Sequence, residues 1–202
     1  MSIRRLSKSG AACLLATLFL GGCGASKPVR YFTLEPTLPR TGPEDAEITG
    51  VVGITQVGMP EYLDRPQIVT RGSGNRLILA DFDRWAEPLS EGTARVLAAD
   101  LSSLLPGFQV RHRGWLDKSR LDYTVGVEVT RFEGVPGGDV TLSATWSVIQ
   151  KGETQGRPSH QSEFVVAAGG RAMDDLARAM SEGIGKLAQD IAEHIRLSGP
   201  RP

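Results

Sequence analysis

Hydrophobic and polar positions alternate most regularly in the second half of the chain. Every odd-numbered residue from Leu121 to Val129 is apolar between polar residues or glycine, and Val140 to Val148 repeats this alternation. A period of two predicts strands with one buried face. The glycine-rich segment Glu133 to Asp139 predicts a loop that joins the two as an antiparallel pair, and Phe132, which breaks the alternation, indicates a bulge. A third strand is predicted at Gln161 to Ala168.

The first half carries shorter strand signals. We predict strands at Val29 to Leu34 and at Ile48 to Val57, and a hairpin in which Gln67 to Thr70 pairs with Arg76 to Ala80. The intervening "RGSGN", residues 71–75, suits a hairpin turn because glycine reaches positive φ without strain. A phosphate cradle is the alternative, but no helix or Lys-Ser/Thr pair follows, so we favour the hairpin.

Prolines at three positions separate the first two strands. Pro36, Pro39 and Pro43 lie among acidic residues, and such a segment cannot continue a helix or a central strand. We predict an exposed linker.

Two segments show the three- and four-residue spacing of one-sided helices. The first has Pro88 at the first helical position and ends at Pro106-Gly107. The second runs from Arg171 to Leu197, with Gly183 and Gly185 indicating a kink or close packing. Strands followed by covering helices predict an α+β fold, with a mostly antiparallel or mixed β-sheet covered by two amphipathic helices.

The N-terminus has the pattern of an export signal. Arg4, Arg5 and Lys8 precede the apolar run Ala11 to Leu20, and small residues lead to Cys23. The run is shorter than the roughly 20 residues that a helix needs to cross a bilayer. We therefore expect this segment to be removed rather than to remain as an anchor.

Leu20-Gly21-Gly22-Cys23 resembles the bacterial lipobox, in which the cysteine is acylated, commonly with palmitate, and becomes the first residue. The alternative is a free or disulfide-bonded thiol, but the only other cysteine, Cys13, lies in the segment expected to be removed. Gly24 rather than Asp follows Cys23, which fits transport onward to the outer membrane. We expect three parts, namely a signal peptide (1–22), a lipidated cysteine with tether, short strand and linker (23–47), and one α+β domain (48–202).

Charge argues against nucleic-acid binding. After residue 22 the chain holds 20 basic and 23 acidic groups, with no concentrated basic stretch. Binding to nucleic acid depends on clustered positive charge that releases phosphate counterions. We expect no nucleic-acid partner.

Catalytic and metal-binding motifs are absent from the sequence. His112, His160 and His194 belong to no catalytic motif, and we interpret all three as surface residues. Neither Gly-x-Ser-x-Gly nor His-Glu-x-x-His occurs. Asp81 and Asp83 could form a glycosidase-like pair only if a cleft surrounded them. We expect no catalytic residue, no metal, and no cofactor other than the acyl chains on Cys23.

The stretch "ADFDRWAEPL", residues 80–89, concentrates charges and aromatic rings before a proline. We favour a strand end and a helix start, with Phe82 and Trp85 buried, Arg84 paired to an acid, and Glu87 preceding the helix. Direct contact with a partner is the alternative.

A second such stretch is Tyr62-Leu63-Asp64-Arg65, which lies between two prolines. An exposed set of aromatic and arginine residues is enriched at protein interfaces. Structural and partner-binding roles remain open here.

Two separated motifs carry a resemblance to a known family. Pro60 to Val69 ("PEYLDRPQIV"), Arg76-Leu77, Asp81 to Leu89 and Arg30 to Leu34, together with the lipobox, resemble the ABC-type transport auxiliary lipoproteins, the PqiC-like family. The resemblance implies a non-enzymatic lipoprotein of the outer membrane that faces the periplasm. Its implied partners are an MCE (mammalian cell entry) domain protein and inner-membrane transport components.

The resemblance also implies a homo-oligomeric ring that docks an MCE tube and supports envelope integrity. We therefore place the candidate partner or oligomer interface at Tyr62, Leu63, Asp64, Arg65, Arg84 and Trp85. A periplasmic lipid-binding carrier is the second hypothesis, and an anchored hydrolase is the third.

Overall fold

The computed structural model of the chain describes residues 27–40, 42–43, 46–112, 118–153 and 159–198. The predicted signal peptide and Cys23 lie outside these residues. Eight strands and two long helices are present in the described part, namely β1 (Arg30–Phe32), β2 (Gly50–Gly58), β3 (Gln67–Arg71), β4 (Leu77–Trp85), α1 (Leu89–Leu104), β5 (Phe108–Arg111), β6 (Tyr123–Gly134), β7 (Asp139–Gln150), β8 (His160–Ala167) and α2 (Met173–Ser198). The predicted α+β class is confirmed.

Five strands form the larger sheet in the order β5-β2-β6-β7-β8. The pairs β5/β2 and β2/β6 are parallel, and β6/β7 and β7/β8 are antiparallel. The sheet is therefore mixed. Strand β5 is absent from our sequence prediction because its four residues are too few to show a clear period.

The bulge predicted at Phe132 is confirmed. The β6/β7 register shifts between Val129 and Arg131, after which Phe132 lies opposite Leu142. Both side chains are completely buried. The extra residue at the bulge explains why Phe132 faces the core although it is even-numbered and the buried residues before it are odd-numbered.

The smaller sheet has the order β1-β4-β3. The predicted hairpin between β3 and β4 is confirmed, with Gly74 at a φ of 62° in its turn. Strand β4 extends beyond the predicted Ala80 to Trp85, where its last three residues pair in parallel with β1. The stretch "ADFDRWAEPL" is therefore mostly strand.

Both predicted helices are present, and they pack on each other and on the larger sheet. Pro88 is at the N-cap rather than at the first helical position, because its ψ of 136° is extended. Helix α2 is continuous through Gly183 and Gly185. A Cβ on Gly183 would lie 3.5 Å from the Leu142 Cβ, and one on Gly185 would lie 2.5 Å from the Thr37 Oγ1. The glycines permit close packing.

The proline-rich segment is tied to both helices, since the N–H of Glu35, directly before Pro36, donates to the Ser181 Oγ on α2 at 3.1 Å. The backbone N–H groups of Thr37 and Leu38 donate to the Asp100 Oδ1, each at 3.1 Å. Burial of Asp100 raises the pKa of its carboxyl above the ordinary value, although these two hydrogen bonds oppose the shift. The predicted exposed linker is thus partly docked against α1.

Candidate partner-binding surface

The two signature motifs come together in space. The segment 60–66 connects β2 to β3 and reaches the end of β4, where the Trp85 N–H donates to the Pro66 carbonyl at 2.7 Å. Gln67 at the start of β3 lies opposite Arg84 of β4. We call this meeting of the two motifs the signature junction. The two motifs, which are separate in the sequence, thus form one structural unit.

Asp64 completes the N-terminus of α1 from a distance in sequence. Its carboxylate accepts hydrogen bonds from the Ser90 N–H at 3.0 Å and from the Ser90 hydroxyl at 2.9 Å. Pro88, at the N-cap, makes no side-chain cap bond. A carboxylate at the N-terminus of a helix accepts a hydrogen bond from a backbone N–H group that has no partner within the helix. Its negative charge also interacts favourably with the positive end of the helix dipole. Asp64 therefore holds the signature junction against α1.

Leu63 and Trp85 are core residues. Their exposed fractions are 1% and 6%. The expectation that Tyr62 to Arg65 is an exposed set is therefore wrong for Leu63. A tight turn, in which the Leu63 N–H donates to the Pro60 carbonyl at 2.9 Å, directs this side chain inward. Neither Leu63 nor Trp85 presents a surface to a partner.

The interpretation of "ADFDRWAEPL" is partly confirmed. Trp85 is buried as predicted, but Phe82 is 39% exposed, so its predicted burial is wrong. Strand alternation places Asp83 and Trp85 on the core side and Phe82 and Arg84 on the other side. This alternation follows from β4 continuing through the segment.

The predicted pairing of Arg84 with an acid is also wrong. Asp83 binds the Arg30 Nε at 2.7 Å, and this hydrogen bond raises the pKa of the Arg30 guanidinium. The Arg84 Nε atom is buried and has no hydrogen-bond partner among the described residues. Glu87 binds the Arg95 Nη2 at 2.8 Å.

A buried carboxylate joins the two sheets. The Glu133 side chain on β6 is fully buried, and its Oε1 accepts hydrogen bonds from Arg71 on β3 and from the Arg131 Nε at 3.2 Å. Its Oε2 accepts from the Tyr62 hydroxyl at 3.1 Å and from the Phe132 N–H at 3.2 Å. Burial and the negative charge of Glu133 raise the pKa of Tyr62. We call these residues the Glu133 cluster, and sequence spacing gave no signal for it.

Tyr62 and Arg65 are therefore committed to contacts within the chain. Tyr62 belongs to the Glu133 cluster, and the Arg65 Nε donates to the Gln67 Oε1 at 3.2 Å. Both side chains retain partial exposure, and Asp64 is exposed. Of the six residues predicted as the interface, Tyr62, Asp64, Arg65 and Arg84 therefore retain exposed surface, whereas Leu63 and Trp85 do not.

Two of the three histidines are only partly exposed and form an aromatic cluster. His160 is the first residue of β8, and its ring stacks on Trp146 with centroids 4.4 Å apart. The rings of His160 and His194 are 4.5 Å apart. Burial and the neighbouring His160 lower the pKa of His194.

The His194 pKa leads to a pH prediction. Between its folded pKa and the ordinary value of about 6.5, the unfolded chain binds a proton that the folded chain does not. Stability therefore falls as the pH drops through this window. We expect His194→Phe to reduce that loss, measured by urea unfolding on both sides of the window. The control Val165→Ala, at an exposed residue of β8 that does not titrate, should leave the pH dependence unchanged, and an equal effect of both substitutions would contradict this assignment.

Two arrangements considered for catalysis or metal binding can be located among the described residues. Asp83 is bound to Arg30 while Asp81 is exposed, so the two carboxylates have different surroundings. Within the described ranges, no group of three or more His, Cys, Asp or Glu side chains could hold a metal ion. A groove of about 310 Å³ on the larger sheet is lined mainly by small or polar residues, including Thr55, Glu128 and Ser147.

A family model described as "ABC-type transport auxiliary lipoprotein component" matches residues 32–192. The chain is 27% identical over 183 residues to the intermembrane transport lipoprotein PqiC of Escherichia coli, and to PqiC of Shigella flexneri. Each alignment covers 90% of this chain and 95% of the relative.

Solved structures share the fold. A crystal structure of an uncharacterised protein superposes with a TM-score of 0.69 at 24% identity, covering 84% of this chain and 99% of the other. A protein from Xanthomonas campestris superposes with a TM-score of 0.65 at 15% identity, covering 83% and 96%. Among the described residues, neither helix combines the length and apolar character needed to span a bilayer.

Proposed function

Because the chain belongs to the ABC-type transport auxiliary lipoprotein family, we propose that it is the lipid-anchored outer-membrane subunit of a system that moves lipids between membranes. The observation that carries this proposal is the family match over residues 32–192, reinforced by similarity to PqiC along 90% of the chain. The lipobox at Cys23 supplies the anchor, and its acyl chains are the only attached group that the proposal requires. The folded domain would face the periplasm.

The proposed role is docking rather than catalysis. Copies of the chain would form a ring that seats the far end of an MCE-domain protein, with the inner-membrane components at the other end. We place the partner contact on the surface formed by Tyr62, Asp64 and Arg65, because the signature junction holds these side chains rigidly. Rigid side chains lose little conformational entropy on binding.

The structure favours neither the carrier nor the hydrolase. The space between the helices and the larger sheet is filled by fully buried side chains, including Leu97, Leu101, Ile184 and Leu187. An acyl chain would have to displace this packing. The open groove on the larger sheet is largely hydroxyl-lined and does not provide the apolar enclosure that a lipid tail requires.

The test is a deletion of the gene in its own host. We expect the envelope to become permeable to large antibiotics that an intact outer membrane excludes. The wild-type chain should restore the barrier, whereas the empty vector should not. Unchanged permeability in the deletion strain, with no related lipoprotein expressed, would contradict a role in envelope integrity.

A further inference from the structure

Exposed apolar side chains are concentrated on the smaller sheet. Of the nine large hydrophobic residues that are exposed in the described part, five lie on β1, directly before it, or on β4, namely Val29, Tyr31, Ile78, Leu79 and Phe82. We call these five residues the tether-side patch. A group of exposed apolar residues marks an interaction site more often than scattered ones do. Consecutive strand residues point to opposite faces, so Ile78 and Leu79 do not share one face of β4.

Strand pairing places part of the patch on one face. Tyr31 lies opposite Arg84 in the parallel β1/β4 pair, and Phe82 is two residues before Arg84 on the same strand. Tyr31 is 65% exposed, whereas Phe32 beside it belongs to the core. The outer face of the smaller sheet therefore presents Tyr31 from β1 and Phe82 from β4, both next to Arg84.

The patch also lies where the chain comes from its proposed anchor. Five residues lie between Cys23 and Val29, so the two Cα atoms are six residue steps apart and at most about 21 Å from each other. Because β1 is parallel to β4, the segment before β1 runs toward the start of β4, where Ile78 and Leu79 are exposed. The chain therefore enters β1 from the end of the smaller sheet at which β4 begins.

The charges around the patch have the sign that a membrane surface attracts. Residues 27–32 and 76–85 hold four basic side chains, Lys27, Arg30, Arg76 and Arg84, against the two acids Asp81 and Asp83. Asp174 on α2 is a third acid, close enough to raise the pKa of Arg30, so four basic groups face three acidic ones. After residue 22 the chain as a whole has more acidic than basic groups. The basic excess is therefore local to this surface.

We propose that the tether-side patch contacts the lipid bilayer and fixes the orientation of the domain on the membrane that holds its acyl chains. This inference rests on the proposed lipid anchor. Tyr31 and Phe82 would enter the headgroup region, where aromatic side chains are favoured, and Arg84 would bind anionic headgroups. The signature junction would then be held at a defined height above the membrane for its partner.

The test uses the full-length acylated chain in vesicles of phosphatidylethanolamine and phosphatidylglycerol. If Cys23 is acylated and Cys13 is removed, Phe82→Cys provides a single thiol for an environment-sensitive nitrobenzoxadiazole label. We expect blue-shifted emission that spin-labelled lipid quenches, and the same result for Tyr31→Cys. The control Val165→Cys, at a residue that is 58% exposed on β8, should report water.

Three outcomes decide the proposal. Emission typical of water from both patch labels, on protein that floats with the vesicles, would overturn it. If the blue-shifted emission of the patch labels disappears when excess lipid dilutes the protein on the membrane, a second copy of the chain covers the patch. That result would overturn membrane contact. Protein that fails to float would show that the anchor itself is absent, which overturns the proposed function as well.

A charge variant separates headgroup binding from apolar contact. Arg84→Gln should lower the ratio of docked to undocked protein about fivefold in anionic vesicles. This is the effect typical of one basic residue near such a surface. In vesicles of zwitterionic phosphatidylcholine, which carry no net charge, it should have little effect. An equal loss in both kinds of vesicle would exclude headgroup binding by Arg84.

Discussion

Cys23→Ala is expected to yield an unlipidated chain that is lost almost completely from the outer-membrane fraction. Each buried CH₂ group of an acyl chain contributes about 0.8 kcal/mol to membrane binding, so two or more chains anchor a protein firmly while one does so only marginally. The tether-side patch alone is too small to replace the acyl chains, so anchoring should depend on this single sulfur.

The chain contains a matched control for this substitution. Cys13→Ala changes the only other cysteine, which lies in the segment expected to be removed, and should leave processing and membrane association unchanged. Fractionation of both variants, with mass spectrometry of the mature N-terminus, measures the difference. Retention of Cys23→Ala in the outer membrane at the wild-type level would contradict lipid anchoring at this residue.

Arg71→Met is expected to lower the free energy of unfolding by about 2–3 kcal/mol. Removal of one partner from a buried ion pair typically costs about 3–5 kcal/mol, because the remaining charge is left without compensation in a medium of low dielectric constant. The Glu133 carboxylate is fully buried, but Arg131 and Tyr62 still bind it after the substitution. We therefore expect a loss at or below the lower end of that range.

Denaturant unfolding of the chain from Gly24 onward measures this loss. The control Arg178→Met removes a surface pair with Asp175, in which the arginine side chain is 55% exposed, and should change stability by less than about 1 kcal/mol. In a Glu133→Gln background the effect of Arg71→Met should shrink, because no buried charge remains to be compensated. Equal losses for the two arginine substitutions would contradict a central role for the Glu133 cluster.

Local patterns predicted most of the strands and both helices. Alternation from Leu121 to Val129 and from Val140 to Val148 identified the central pair, because one face of each strand is buried along its length. The Phe132 bulge was also predictable, because one extra residue in a strand reverses the parity of the apolar positions that follow it. The four residues of β5 are too few to carry a period, and their strand form depends on pairing with β2.

The candidate site was less predictable because its contacts join residues distant in sequence. Asp64 binds Ser90, and Arg71 binds Glu133, over separations of 26 and 62 residues. The composition of Tyr62 to Arg65 suggested exposure, but the turn at Pro60 buries Leu63. Phe82 was assigned to the core on its hydrophobicity alone, whereas strand parity relative to Trp85 places it outside.

The most direct test of the proposed function is crosslinking in intact envelopes, followed by affinity purification of the lipidated chain and identification of its partners by mass spectrometry. We predict recovery of an MCE-domain protein together with crosslinked copies of the chain, and loss of that protein when Asp64 and Arg65 are both replaced by alanine in a variant that remains folded. Recovery of only the chain itself and lipid would contradict the docking role and shift the interpretation to a lipid carrier.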